Sequence, residues 1–262
     1  MEQLRLHDFY FLVELIALGI FAVLLISWIL DKSPLSPWLK ASGGITVSFI
    51  TVPAFLFGLA ISTIATGTWN KHENANLNLV NETVSLRTLI SISTSLPAQE
   101  KQQLNTAIHN YITTVLSKEW PAMKIKDTSN YEAATPQFDS LSAAAISIAL
   151  APNQRPSIEN RLQSTIDSLR QQRMLRMELA KTAIDFVKWP SLYTLSFLLL
   201  FTVGMLQIAS PRAMRISLTL GALCIGVSLL FIFINTSPYS GLDAVNPEPL
   251  SQTLKLIQLN SK

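Results

Sequence analysis

The chain has 262 residues, of which 49% are hydrophobic and only 14% charged, against about 25% charged in ordinary soluble domains. That balance argues against a purely soluble protein and for a membrane protein with a modest soluble part. A net charge of +3 without a Lys/Arg run argues against nucleic acid as a partner, and the single cysteine, Cys224, excludes a disulfide framework within one chain.

The mixed-charge N-terminus leads into an apolar run from Phe9 to Leu30, broken only by Glu14 and Ser27. As a helix it spans roughly 33 Å, close to the thickness of a bilayer core. It is too long for a signal-peptide core, so it reads as the first membrane helix. Glu14 is its one ionisable residue, and snorkelling to the interface accounts for it more simply than a role inside the bundle. Asp31 to Ser42 reads as a loop stopped by Pro34 and Pro37, with Trp28 and Trp38 suited to the interface.

The second span runs from about Gly43 to Gly67 and closes on Trp69. Pro53 is expected to kink it, and the small residues Gly58, Ala60, Ser62, Ala65 and Gly67 allow close helix packing. Val52, Phe55, Leu56 and Leu59 share one helical face, which suits either lipid or a narrow apolar pore.

From Asn70 to about Lys188 charges are frequent and no run can span a bilayer. Leu77, Val80, Val84 and Leu89-Ile90 predict an amphipathic helix continuing out of the second span to Leu96-Pro97. A second helix is expected over Ala98 to Glu119, ended by Trp120-Pro121, and Ala122 to Pro136 reads as loop. A third helix covers Gln137 to Leu150, and a fourth covers Pro156 to Lys188, with proline in its first turn. A third span follows over Ser191 to Ala209, a tight connection over Ser210 to Arg215, and a fourth span over Ile216 to Asn235. Leu250, Leu254, Ile257 and Leu259 predict one weak amphipathic helix in the tail.

The expected organisation is an all-α membrane protein: residues 1–67 with two membrane helices, 68–189 a helical soluble region, 190–235 two further membrane helices, and 236–262 a tail. The soluble part reads as a bundle fed by the membrane helices, not a separate globular domain. Four spans put both termini and that region on one side of the membrane. Basic residues near the two faces conflict, so charge alone leaves the orientation open.

No catalytic chemistry is legible. His7, His72 and His109 are scattered and form no ligand pair, so no metal site is expected. Nucleophile-elbow, P-loop and dinucleotide fingerprints are absent, and neither a cofactor nor an enzymatic activity is expected. The sequon Asn81-Glu82-Thr83 is discounted as a chance match.

The stretch Val52 to Glu73 carries a resemblance. An apolar run with a proline reaches Gly58, and Trp69-Asn70 and Glu73 follow. This resembles the second membrane helix of the bestrophin channels, with their aromatic-Asn-x-x-Glu sequence. Ser237-Pro238-Tyr239-Ser240-Gly241 resembles the family's Asn-Pro-Phe-Gly turn with one residue inserted. The Glu119 to Met123 run and the basic stretch from Arg173 to Pro190 are similar to an uncharacterised bacterial bestrophin-like group.

The resemblance implies a homopentamer of four-helix subunits in a bacterial inner membrane, with termini and the extended helical region cytoplasmic. It implies a pore neck made by Val52, Phe55 and Leu59. One residue of difference in spacing leaves Thr51 as an alternative first ring, and Leu56, Trp69, Asn70 and Glu73 as pore or interface candidates. For Trp69 and Asn70, interfacial anchoring and helix capping are the simpler roles. The acidic run of calcium-gated members has no counterpart, since the tail offers only Asp243 and Glu248, so no calcium clasp is expected. The resemblance thus points to passive conduction of inorganic ions, anion or cation undecided. A membrane-anchored helical scaffold or regulatory protein without transport activity is the alternative. A secondary transporter is disfavoured by the lack of an inverted repeat.

Overall fold

The computed structural model describes residues 2–41, 47–151, 155–181, 188–240 and 244–260, and every regular element among them is helical. The α-helices are α1 (Glu2–Asp31), α2 (Ser36–Ala41), α3 (Thr51–Ser93), α4 (Ala98–Thr114), α5 (Trp120–Ile125), α6 (Thr135–Ala149), α7 (Pro156–Lys181), α8 (Lys188–Leu206), α9 (Pro211–Ile234) and α10 (Glu248–Asn260). A 3-10 turn, Val47–Ile50, leads into α3, and a π turn, Val115–Glu119, joins α4 to α5. Two compact units result: Met1–Trp69 with Ile184–Thr236, and Asn70–Ala183 with Ser237–Lys262.

In the first unit, four helical stretches are long and apolar enough to cross a bilayer: Tyr10–Asp31, the stretch within Val47–Ser93, Trp189–Leu206 and Pro211–Ile234. α1 packs against α8 and α9, which also pack against each other. Ile26, Leu30, Leu200, Leu218 and Leu229 form the centre of that core. Phe11 stacks on Phe233 at 3.5 Å between ring centroids and meets the edge of Trp189 at 5.6 Å. Close approach of α8 to α1 depends on Gly204. A Cβ there would lie 2.6 Å from Leu30 Cδ1 and 3.1 Å from Ile26 Cγ2, both of them fully buried side chains.

The second unit has its own core, built from one face of α3 (Leu79, Leu86, Leu89), from α4 (Leu104, Ile108, Tyr111), from α6 (Phe138, Leu141) and from α7 (Leu162, Ile166, Leu169). The tail belongs to it, because Leu250 and Ile257 of α10 are buried in the same cluster and α10 packs on α4. This core makes the region between the second and third spans a compact unit in its own right.

Several expectations change. Pro53, expected in the interior of the second span, lies close to the start of α3. α3 starts at Thr51, so the proline sits in the first turn, where its missing N–H would have had no partner. Gly58 and Gly67 have open space where a Cβ would be, so they mediate no close packing within the chain. Pro34 and Pro37 do not leave a plain loop, since Pro37 lies in the first turn of α2. Trp120-Pro121 ends no helix. The chain widens into the π turn and continues helically to Ile125, where Lys126 adopts φ 58° and stops it. The stretch read as loop therefore holds α5 and a 3-10 turn at Thr128–Asn130, capped by the Asp127 carboxylate. The connection between the last two spans is shorter than expected, because α9 already begins at Pro211. Leu77, Val80 and Val84 are not the core face of α3 but are about half exposed. Gly43, Gly241, Leu242 and Asp243 lie outside the described residues, as do the side chains of His7 and Leu259.

Filling the α8 contact should be costly. Gly204→Val is expected to lower stability by about 1–3 kcal/mol through overpacking against Leu30 and Ile26, read as a lower melting temperature in detergent.

Candidate functional site

An α-helix advances about 100° per residue, so positions three and four apart line one face. Along α3 that rule separates two faces. Pro53, Phe57, Thr68, Ala75, Leu79, Glu82 and Leu86 are buried on one side. The opposite side carries Val52, Phe55, Leu56 and Leu59, at 54%, 66%, 46% and 55% exposure in the single chain. It continues through Thr63, Thr66, Asn70, Glu73, Leu77, Val80 and Val84, all exposed. Thr51 is exposed near the edge of this stripe, and so is Trp69. The predicted site residues therefore fall along one helix, with the apolar set first and the polar set after it.

The hydroxyls of the stripe have a fixed direction. Thr63 Oγ1 donates to the Leu59 carbonyl at 2.8 Å, and Thr66 Oγ1 donates to the Ser62 carbonyl at 2.9 Å. Each proton is committed to the backbone, which leaves the oxygen lone pairs as acceptors.

A buried charge network holds the part of α3 that belongs to the second unit. Glu82 of α3 and Glu119 of the π turn are both fully buried, and Arg176 of α7 lies between them, also fully buried. Arg176 Nε donates to Glu82 Oε2 at 2.9 Å, and its Nη2 donates to Glu119 Oε2 at 2.9 Å. The Tyr111 hydroxyl donates to Glu82 Oε1 at 2.7 Å. Glu119 Oε1 accepts from Arg173 Nη2 at 2.9 Å and from the Ala134 N–H at 2.9 Å, and Arg173 Nη2 also donates to Thr135 Oγ1 at 2.8 Å. Two carboxylates and two guanidiniums cancel in charge. The cations also sit over aromatic rings, Arg176 5.9 Å from the centre of Trp120 and Arg173 5.4 Å from that of Phe138.

Burial disfavours the Arg176 charge, but Glu82, Tyr111, Glu119 and Tyr239 outweigh it and hold the guanidinium well above its ordinary value. Burial, reinforced by the Glu82 carboxylate, pushes the Tyr111 hydroxyl well above its own. Each carboxylate and guanidinium of this arrangement is held by an oppositely charged partner. Among the described residues no group of His, Cys, Asp and Glu could hold a metal ion.

Sequence reasoning missed this network as a unit. The signal for Glu82 was its register: it falls on the same side of α3 as Leu79 and Leu86, where a lone charge needs a partner. Glu119 and the Arg173–Arg176 pair lie in the runs that carried the resemblance, but their meeting depends on the tertiary fold. Tyr239, from the Ser237 turn, joins them by packing edge-on against Trp120 at 5.5 Å.

Comparison with known proteins places this architecture. The Bestrophin-like domain family matches residues 17–250. A crystal structure of a membrane protein carrying one substitution superposes with a TM-score of 0.68 at 9% identity, covering 97% of this chain and 98% of that one. A single-substitution variant of a bacterial bestrophin homologue from Klebsiella pneumoniae gives 0.67 at 9% identity, covering 97% and 98%. Another crystal structure of a bacterial bestrophin homologue from Klebsiella pneumoniae gives 0.67 at 9%, covering 96% and 97%. At this identity the structural likeness shows the fold alone. No curated protein sequence matches the chain.

Removing one partner of the network should be severe. Arg176→Met leaves two buried carboxylates short of a cation and is expected to cost about 3–5 kcal/mol, measured by denaturation in detergent. The network also sets an alkaline limit. Tyr111 keeps its proton in the folded chain to a higher pH than in the unfolded chain, where a tyrosine ionises at about pH 10. The resulting stability is complete below about pH 10 and is lost as pH rises further. Tyr111→Phe should therefore be less stable at neutral pH but fall less steeply above pH 10 in a thermal-shift series.

Proposed function

The chain belongs to the bestrophin-like family, and from that premise we propose that it forms a homopentameric channel in the bacterial inner membrane that conducts ions passively. Family membership supports an ion channel at the coarse level and a role other than catalysis. The observation that carries the reading further is the exposed stripe of α3. Val52, Phe55 and Leu59 lie on it, and the same stripe continues into Thr63, Thr66, Asn70 and Glu73. Lipid would accept the apolar part, but a face that turns to acceptor hydroxyls, an amide and a carboxylate suits a water-filled path.

In a five-fold assembly each of these residues becomes a ring. Val52, Phe55 and Leu59 form a narrow neck, with Thr51 and Leu56 at its margins. Such a constriction dewets and blocks ions until it widens. Trp69 stands beside the stripe, where its half-polar ring suits an interface. In this reading the termini and the second compact unit are cytoplasmic.

Purified protein in liposomes should conduct ions, and Phe55→Ala or Leu59→Ala should raise the flux severalfold by widening the neck. Native mass spectrometry of the detergent complex should give five copies. A stable monomer without flux overturns the channel. A pentamer in which neither substitution changes flux would favour a membrane-anchored scaffold.

A further inference from the structure

We propose that the cleft between α1 and α9 binds one anionic phospholipid, with an acyl chain along the cleft and the phosphate at Arg212 and Arg215. The inference rests on the membrane spans and is independent of the channel reading.

The two helices run antiparallel. Phe11, near the start of α1, stacks on Phe233, near the end of α9. At the other end a Cβ on Gly204 would lie 2.6 Å from Leu30 of α1 and 3.6 Å from Leu218 of α9, which puts those two at one level. Between the ends lies a cleft of about 430 Å³. Ile20 and Leu24 of α1 and Leu223 and Val227 of α9 wall it and are exposed. Thr219 is its one lining side chain with a polar atom, and that hydroxyl donates to the Arg215 carbonyl at 2.9 Å. Gly19 and Gly226 deepen the cleft, since a Cβ on either would meet nothing within 4 Å. All of these positions lie within the spans Tyr10–Asp31 and Pro211–Ile234, where the surrounding medium is hydrocarbon. Spread over the roughly 18 Å of helix axis from Leu12 to Leu24, the volume leaves a cross-section of roughly 24 Å². A helix about 10 Å across needs roughly 80 Å². One extended hydrocarbon chain fits this cleft, and a helix of a neighbouring copy does not.

One end of the cleft fixes the class of lipid. Arg212, Arg215 and Thr219 share a face of α9, as Ile20, Leu24 and Trp28 share a face of α1. Trp28, one turn beyond Leu24, is exposed, and its half-polar ring suits the level of the headgroups. Arg215, one turn outside Thr219, is exposed, and so is Arg212. Among the described residues neither arginine has an ion pair. Asp31, the acid at that end of α1, is taken by Lys40 at 3.4 Å. Two guanidiniums without a counter-charge suit a phosphate, which they meet through paired N–H donors. A headgroup with net negative charge gains more from them than a zwitterionic one. Toward the opposite end α1 carries the exposed Glu14, which repels a phosphate. The lipid therefore has one orientation.

The test is native mass spectrometry of the purified protein, titrated with dioleoyl phosphatidylglycerol or with phosphatidylcholine of the same chains. Wild type should hold phosphatidylglycerol the more tightly. Arg212→Gln combined with Arg215→Gln should weaken phosphatidylglycerol about thirtyfold, at about fivefold per cation near a headgroup, and phosphatidylcholine far less. Gly226→Leu fills the cleft where a Cβ meets nothing and should weaken both lipids. Glycerol phosphate, which has no chains, should not compete at equal concentration. Equal retention of the two lipids by wild type overturns the proposal, and so does unchanged retention in the double arginine variant. Competition by glycerol phosphate overturns the acyl-chain assignment and leaves a site for free phosphate. A Gly226→Leu variant that changes the number of copies but not lipid retention means that a second copy covers the cleft, and the proposal falls. If Gly226→Leu does not fold, Gly19→Leu replaces it, and if neither folds the arginine pair decides alone. No flux is read, so failure here leaves the channel reading standing.

Discussion

The second compact unit is organised around one buried cation. Arg176 carries a full charge into a site with no solvent, which is tolerable only because Glu82 and Glu119 meet it from either side at 2.9 Å. Neither carboxylate is local to it: Glu82 lies 94 residues away and Glu119 lies 57 away. The ion pairs tie the part of α3 in the second unit to the π turn and to α7. Tyr111 adds α4 by filling a remaining acceptor position on Glu82. Such a cluster is worth little as raw stability, since desolvation offsets most of the attraction. Its strength is in specificity, because any other register of α3 against α7 would bury an unpaired charge.

The π turn at Val115–Glu119 is part of the same arrangement. Pro121 offers no backbone donor, and the widened turn falls just ahead of it. The extra residue in that turn changes the phase of the helix. It puts Glu119 and Trp120 on the buried side, where Glu119 meets both arginines and Trp120 meets Tyr239. Three runs distant in sequence — the Glu119 run, the Arg173 stretch and the Ser237 turn — thereby converge on one spot. The convergence gives a physical reason for their presence together in one chain.

α3 serves two purposes with two faces. One is consumed by packing: Phe57 in the core of the first unit, and Leu79, Leu86 and Glu82 in the second. The other stays largely exposed among the described residues, which is unusual for a side containing valine, phenylalanine and leucine over so many turns. A bilayer can cover part of it, but the hydroxyls, Asn70 and Glu73 on the same face are poor company for lipid. In the proposed assembly, symmetric copies facing a common axis would resolve that conflict, because the apolar part would meet itself and the polar part would meet water.

The apolar runs by themselves determined the four membrane helices, since a bilayer leaves little alternative to a helix for 18 or more apolar residues. Periodicity placed Val52, Phe55, Leu56 and Leu59 on one side of α3, because helical geometry is local. The resemblance of short motifs pointed to the family. What sequence could not decide was which side of α3 faces inward beyond the membrane. Leu77, Val80 and Val84 looked like core and stand exposed, while the buried side is fixed by partners on α4 and α7. Nor could it show that Pro53 and Pro121 sit at turns able to spare a donor, or that Glu82 finds Arg176. Those outcomes depend on contacts between residues dozens of positions apart, and only the tertiary structure brings them within hydrogen-bonding distance.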